Sequence, residues 1–362
     1  MTARTALGEI LGKRLIVCLG PGGVGKTTVA AALAVAAARH GRRTAVLTVD
    51  PARRLREALG LRELRDGPHP VPLRDGRARL DALALDVRRT FDAVVRRLAP
   101  DPAVAERILR NRLYQELAEG FAGSAEYMAM ERVYTLAGEG AYECVVVDTP
   151  PSTHAADLLH APGRVQVLLG TSAVRILKAP TSLLGAEAPS GRMVLRMLLG
   201  ALQRWTGLDL LRDLSEFAAG FEHLATAFRD RAGAIAAMLR DASAAFVVVT
   251  TAEPEPAAAA ARLAAELEAA GFPLAGVIVN RIHAFPAGAP VPGRLPPNLR
   301  RKLRANYRDF LALTARDRTA LRGLQRGLPT PIVAALPVLP APPLTVAGLE
   351  RLADLLGSPA PP

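Results

Sequence analysis

The nine residues from Gly20 to Thr28, GPGGVGKTT, have the types and spacing of a phosphate cradle. Gly20, Gly25, Lys26 and Thr27 fill the fixed positions of the pattern G-x-x-x-x-G-K-[ST]. Glycines let successive backbone N–H groups curl around phosphate oxygens without a Cβ in the way. The backbone of Gly22, Gly23, Val24, Gly25, Lys26, Thr27 and Thr28 supplies those donors. The positive end of the following helix faces the same anion. Lys26 adds a point charge for the β- and γ-phosphates, and the Thr27 hydroxyl is placed to ligate Mg²⁺. Such chemistry also needs a carboxylate at the end of a neighbouring strand. Asp148, closing the run Cys144-Val145-Val146-Val147, is the candidate for the Mg²⁺ shell.

These residues work only if strands and helices bring them together. Leu15 to Leu19 reads as a buried strand leading into the loop, and Thr27 to His40 as the helix leaving it, ended by Gly41. Further apolar runs at Thr44–Val49, Leu83–Asp86, Glu143–Val147, Ala245–Thr251, Ala275–Asn280 and Val333–Leu336 read as strands. Helices lie between several of them, including Pro256–Ala270 and a last one at Val346–Leu356. Strands that are apolar on both faces and alternate with helices predict an α/β fold with a mostly parallel central sheet flanked by helices. The expected organisation is a single P-loop NTPase domain over 1–362, with its core at about 12–86, 138–161, 243–283 and 330–357. Two helix-only insertions, about 87–137 and 162–240, predict an α-helical subdomain. A surface insertion at about 284–329 begins Pro- and Gly-rich and turns into a basic helix near Asn298.

Composition narrows the class. The chain has 362 residues, half of them hydrophobic and 22% charged, which excludes intrinsic disorder as its main state. Two cysteines exclude a disulfide scaffold. Uncharged apolar stretches such as Val29–Ala38 fall short of the ~18 residues of a spanning helix, so a cytoplasmic protein is expected, or one peripheral at the inner membrane. The net charge is +12, from four lysines and 42 arginines against 34 acids. The arginines are spread along the chain and aromatics are only 4%, which disfavours nucleic acid as a partner.

Further segments carry a resemblance. DPARRL follows the second strand from Asp50, SAEYMAMERVYTL includes Glu126, and DTPPSTHAADLLHAP opens at Asp148. FVVVTTAEPEP and GVIVNRI come later in the chain. In this order they resemble the ArsA and Get-type ATPases, a family of arsenite-pump ATPases and targeting factors for tail-anchored membrane proteins. The middle of the chain looks most like a bacterial branch lacking the metal-binding cysteines. The resemblance implies ATP and Mg²⁺ as cofactors, with phosphates on the loop and Lys26, and Mg²⁺ on Thr27 with Asp148 in its outer shell. It implies that Asp50 orients or deprotonates the attacking water and that Asn280 contacts adenine. Asn280 is followed by Arg281, Ile282 and His283 rather than by an N-K-x-D element, which favours ATP over GTP. His154 matches the family's switch histidine, where a capping or surface role is an equal alternative.

The chain also departs from that pattern. The family loop carries a lysine where Pro21 stands, and that lysine reaches phosphates across a dimer. Proline offers neither charge nor N–H. Thr153 replaces a switch glycine. Cys18 and Cys144 each sit inside an apolar run, so both read as small core residues rather than soft-metal ligands. The reading favoured is an ATPase that drives a conformational switch, in a homo- or hetero-oligomer with a related ATPase, handling a hydrophobic or membrane-protein client. Met193, Met197, Leu198 and Trp205 are candidates to line a client groove, with simple core packing as the alternative. Two other readings remain: the ATPase subunit of an arsenite-type efflux system, or a weakly active regulatory subunit. If a lysine-bearing partner supplies the missing charge, Pro21→Lys raises the ATPase rate of the isolated protein; an unchanged steady-state rate removes that explanation.

Overall fold

In the computed structural model the described residues are 3–49, 53–74, 76–111, 114–115, 124–138, 140–150, 163, 224, 226–285 and 295–357. The chain divides into two compact units: Met1–Ala84 with Leu136–Ala155 and Arg240–Pro362, and Leu85–Thr135 with Ala156–Leu239.

The first unit is built on an eight-stranded sheet. In chain order its elements are α1 (Ala3–Leu11), β1 (Leu15–Leu19), α2 (Lys26–Arg39), β2 (Thr44–Thr48), α3 (Arg53–Ala58), β3 (His69–Pro70) and β4 (Leu80–Ala84). The order β3-β4-β2-β5-β1-β6-β7-β8 is completed by β5 (Cys144–Asp148), β6 (Ala244–Thr251), β7 (Leu274–Ile282) and β8 (Ile332–Pro337). Every pairing is parallel except the short β3 edge, which runs antiparallel to β4. β1, β2, β5 and β6 are buried along their whole length, which is why they read as unbroken apolar runs rather than alternating ones.

One helix sits deepest. From Val29 to Ala38 every residue of α2 is buried, and all ten are alanine, valine or leucine in the run VAAALAVAAA. Small side chains let it lie close to β2 and β5 below and to the C-terminal helix above. Ile16, Cys18, Val46, Val146, Val247 and Val249 share that face of the sheet. α2 ends at Gly41, whose φ of 84° is the left-handed turn that glycine tolerates.

The expected third strand lies earlier than Leu83–Asp86. It is Leu80–Ala84, and Asp86 instead caps the next helix by accepting from the Arg89 backbone N–H at 2.9 Å. The helices α1 and α3 and the edge β3 have no counterpart in the sequence reading. The second unit contributes α4 (Val87–Leu98), α5 (Pro102–Arg110), most of α6 (Ser124–Gly138) and α7 over 226–239. Within it Phe91 meets Tyr114 and Phe228, and Phe228 meets Tyr127. Arg231 pairs with buried Glu131 at 2.7 Å and lies over the Tyr134 ring. The long amphipathic helix expected over 211–239 is described at 224 and 226–239; the remainder, and the stretch with Met193, Met197, Leu198 and Trp205, lie outside the described residues.

The remaining helices of the first unit are α8 (Pro254–Ala269), α9 (Pro297–Gly327) and α10 (Val346–Leu356). The basic helix expected near Asn298 is α9, 31 residues long. Its second half is anchored by Asp317, which is 1% exposed. Asp317 accepts from the His283 backbone N–H and ring at 2.9 and 2.8 Å, and from the Arg316 guanidinium. Burial pushes the Asp317 carboxyl up, but the hydrogen bonds from His283 and Arg316 outweigh it and hold it below its ordinary 3.8. A carboxylate whose folded pKa is depressed stabilises fully above its unfolded pKa and loses that contribution as pH falls through the folded value. Asp317→Asn therefore destabilises by about 1–3 kcal/mol near neutral pH. In denaturant titrations the gap from the wild type narrows as pH falls below about 4.

Candidate functional site

The parallel pairing of β5 with β1 on one side and β2 on the other brings the sequence-predicted chemistry together. Cys18 of β1 and Thr48 of β2 are both in register with Asp148, so the loop after β1 starts beside the carboxylate. Gly20 opens the loop at a φ of 147°, and a Cβ there would lie 2.1 Å from the Val249 carbonyl oxygen of β6. Only glycine fits that crossing. Gly23 and Gly25 have φ of 78° and 92°, the left-handed values that bend the backbone back on itself and turn consecutive N–H groups inward. Gly22 and Gly23 are exposed, whereas Val24 is buried and anchors the loop.

Gly25 caps α2, and Lys26 and Thr27 form its first turn. That turn holds no acidic residue, so the positive helix end and the ammonium are not neutralised from within the helix. Lys26 is 6% exposed and donates to the Pro21 carbonyl at 2.9 Å. Pro21 thus contributes an acceptor to the lysine, a role independent of its side chain. A buried cation at a helix N-terminus, beside a loop of inward N–H groups, suits a polyphosphate.

Asp148 is fully buried at the end of β5 and accepts from the Thr48 hydroxyl at 3.0 Å. The next residue, Thr149, donates to the Cys18 carbonyl at 2.8 Å and closes the β5 end onto β1. Thr48 and Thr149 were not singled out in the sequence, because their partners lie 100 and 131 residues away. The hard oxygens of Thr27 and Asp148 are the donor type that Mg²⁺ prefers. Among the described residues no cluster of three His, Cys, Asp or Glu side chains is placed for a softer metal. Cys18 and Cys144 are buried strand residues; burial pushes the Cys144 thiol up to about 11 and raises Cys18 further, reinforced there by Asp148. Neither is disposed to form the thiolate a soft metal binds.

Asn280, near the end of β7, reaches the loop itself. Its amide Nδ2 donates to the Val24 carbonyl at 2.9 Å, and its Oδ1 accepts from the Arg281 N–H at 3.0 Å. The two bonds fix which way the amide points. Arg281 is held at a φ of 60°, the one described non-glycine residue in the left-handed region. A Cβ at Gly25 would come within 2.4 Å of the Asn280 nitrogen, so this contact and the loop's backbone conformation both demand glycine. Asp50, Thr153 and His154 lie outside the described residues. Asn280→Ala removes a support of the loop and is expected to weaken ATP and GTP binding alike, by about tenfold, in equilibrium titrations. A loss confined to ATP would assign the amide to the base alone.

Comparison with known proteins matches this architecture. Residues 13–289 fit the family model of the anion-transporting ATPases. An uncharacterized protein of Streptomyces coelicolor is 36% identical over 150 residues, covering 41% of this chain and 37% of that protein. ATPase ASNA1 homolog 1 of Paramecium tetraurelia is 29% identical over 143 residues, 40% of this chain and 42% of its own. ATPase get3 of Aspergillus terreus is 26% identical over 307 residues, 84% of this chain and 82% of its own. The first two matches thus span less than half the length of the relatives concerned. With the loop, the buried carboxylate and the parallel sheet in this arrangement, the chain belongs to the anion-transporting ATPase family.

Proposed function

We propose that the protein is a Mg²⁺-dependent ATPase that hydrolyses ATP to ADP and phosphate to drive a conformational switch. The observation that carries this is the convergence of the glycine loop, buried Lys26 and buried Asp148 at the adjacent ends of β1 and β5. Phosphoryl transfer asks little covalent chemistry of a protein; it needs positioning and neutralisation of charge on the transferred group. Loop N–H groups and Lys26 hold the phosphates, and Thr27 and Asp148 would hold Mg²⁺, which would supply charge neutralisation to the transferred group. Asp50, two residues beyond the end of β2, orients the attacking water. Asn280 keeps one amide N–H for adenine while the other holds the loop.

The client is a hydrophobic or membrane-protein segment, and the working unit is an oligomer with a related ATPase, in the cytoplasm. The relative named ATPase get3, matched over most of both chains, supports the ATPase activity and leaves the client and efflux readings both open to the experiment below. The chemistry of the two buried thiols weighs against direct arsenite binding. A weakly active regulatory subunit is the second reading, motivated by Pro21.

The deciding experiment slows turnover with Asp50→Asn, keeps ATP and Mg²⁺ present in the native cell, and identifies what crosslinks. Membrane proteins with one terminal apolar helix are the expected catch. Recovery of a lysine-bearing related ATPase alone would make the protein part of an obligate heteromeric switch. Lys26→Ala, assayed in parallel, lowers the hydrolysis rate at least about 100-fold if the chain turns over ATP itself.

A further inference from the structure

The apolar face of α9 outruns the body it packs on. In its second half Thr314, Asp317 and Leu324 are buried. No residue from 297 to 313 is buried. At ~100° per residue, Leu299, Leu303 and Phe310 continue the same stripe, all within about 40° of one another. They are 41%, 38% and 41% exposed, although Phe310 stacks on Phe285. Exposed leucines at helical spacing call for a cover.

The charges around that stripe select the cover. Residues 297–310 contain Arg300, Arg301, Lys302, Arg304 and Arg308 against a single acid, Asp309. Arg300 and Lys302 fall about 80° to either side of the stripe, the position from which long cationic side chains reach headgroups while their stems lie along apolar surface. Tyr307 lies close to the stripe's edge, where an amphipathic ring suits an interface. A second copy of the same helix would set five cations against five. Nucleic acid would satisfy the arginines and leave the leucines in water.

We propose that the first half of α9 docks on an anionic lipid bilayer, with Leu299, Leu303 and Phe310 entering the interface and the flanking cations binding lipid phosphates. The surface belongs to the first unit and does not depend on the identity of the client.

The test uses the full chain and co-sedimentation with vesicles of phosphatidylcholine, alone or mixed with phosphatidylglycerol. Binding is expected to the mixed vesicles and not to phosphatidylcholine alone. The double change Arg300→Gln, Lys302→Gln, which removes the two cations beside the stripe, lowers it at least about tenfold. The double change Leu299→Asn, Leu303→Asn lowers it about tenfold as well. Both variants keep the wild-type thermal melt and, without vesicles, the wild-type ATPase rate, since none of these residues belongs to the nucleotide site. Absence of binding to either vesicle overturns the proposal, as does equal binding to both. Binding that the leucine variant retains in full, and that duplex DNA displaces, also overturns it and reassigns the surface to nucleic acid. An ATPase rate of zero in the wild type, with vesicle binding intact, would count against the proposed activity and leave the docking surface standing.

Discussion

The position of β1 between β5 and β6 is the constraint on which the rest of the site depends. Parallel strands in register end at the same level, so the loop leaving β1 emerges beside Asp148 on one side and under the β6 backbone on the other. The close approach to Val249 leaves no room for a side chain at Gly20. The crossing therefore fixes where the loop starts, and the left-handed glycines fix how it curls. Ligands of open α/β sheets bind at the carboxyl ends of the strands because connections diverge there. In this chain that edge also gathers a buried ammonium and a buried carboxylate.

A buried lysine at a helix N-terminus is unfavourable on its own account. It persists because the surrounding fold is over-determined. α2 is buried from Val29 to Ala38 by its own small side chains, which seats its first turn against the sheet, and the Pro21 carbonyl accepts from the Lys26 ammonium. The result is a preorganised positive site of the kind that suits a polyphosphate. Thr48 and Thr149 act in the same sense on the opposite side: one orients the Asp148 carboxylate, the other locks β5 against β1.

The far side of the loop is held by β7. Asn280 joins the Val24 carbonyl, the left-handed Arg281 and the requirement for glycine at 25 into one arrangement, so the strand end is tied directly to the phosphate loop. Three residues after Asn280, His283 meets Asp317 and ties the same strand end to α9. A short stretch of chain thus links the nucleotide loop, through hydrogen bonds alone, to the anchored half of a helix whose other half carries exposed leucines and arginines.

Local chemistry was legible in the linear sequence. The loop pattern, its strand-loop-helix setting, the apolar strands of a parallel sheet and the basic helix near Asn298 all follow from periodicity, glycine placement and charge, which are properties of neighbouring residues. Asp148 was legible too, because a carboxylate ending an apolar run is itself a local signal. The third strand was misplaced because Asp86 reads equally as a strand end or a helix cap, and only the Arg89 N–H shows which. Edge strand β3, two residues long, carries too little pattern to be seen. Asn280's bond to Val24 crosses 256 residues, and the exposure of Leu299 and Leu303 depends on where the body under α9 stops. Hydrogen bonds and burial between distant segments exist only once the chain has closed around its core, so the tertiary structure alone decided which residues steady the loop and which face of α9 is left uncovered.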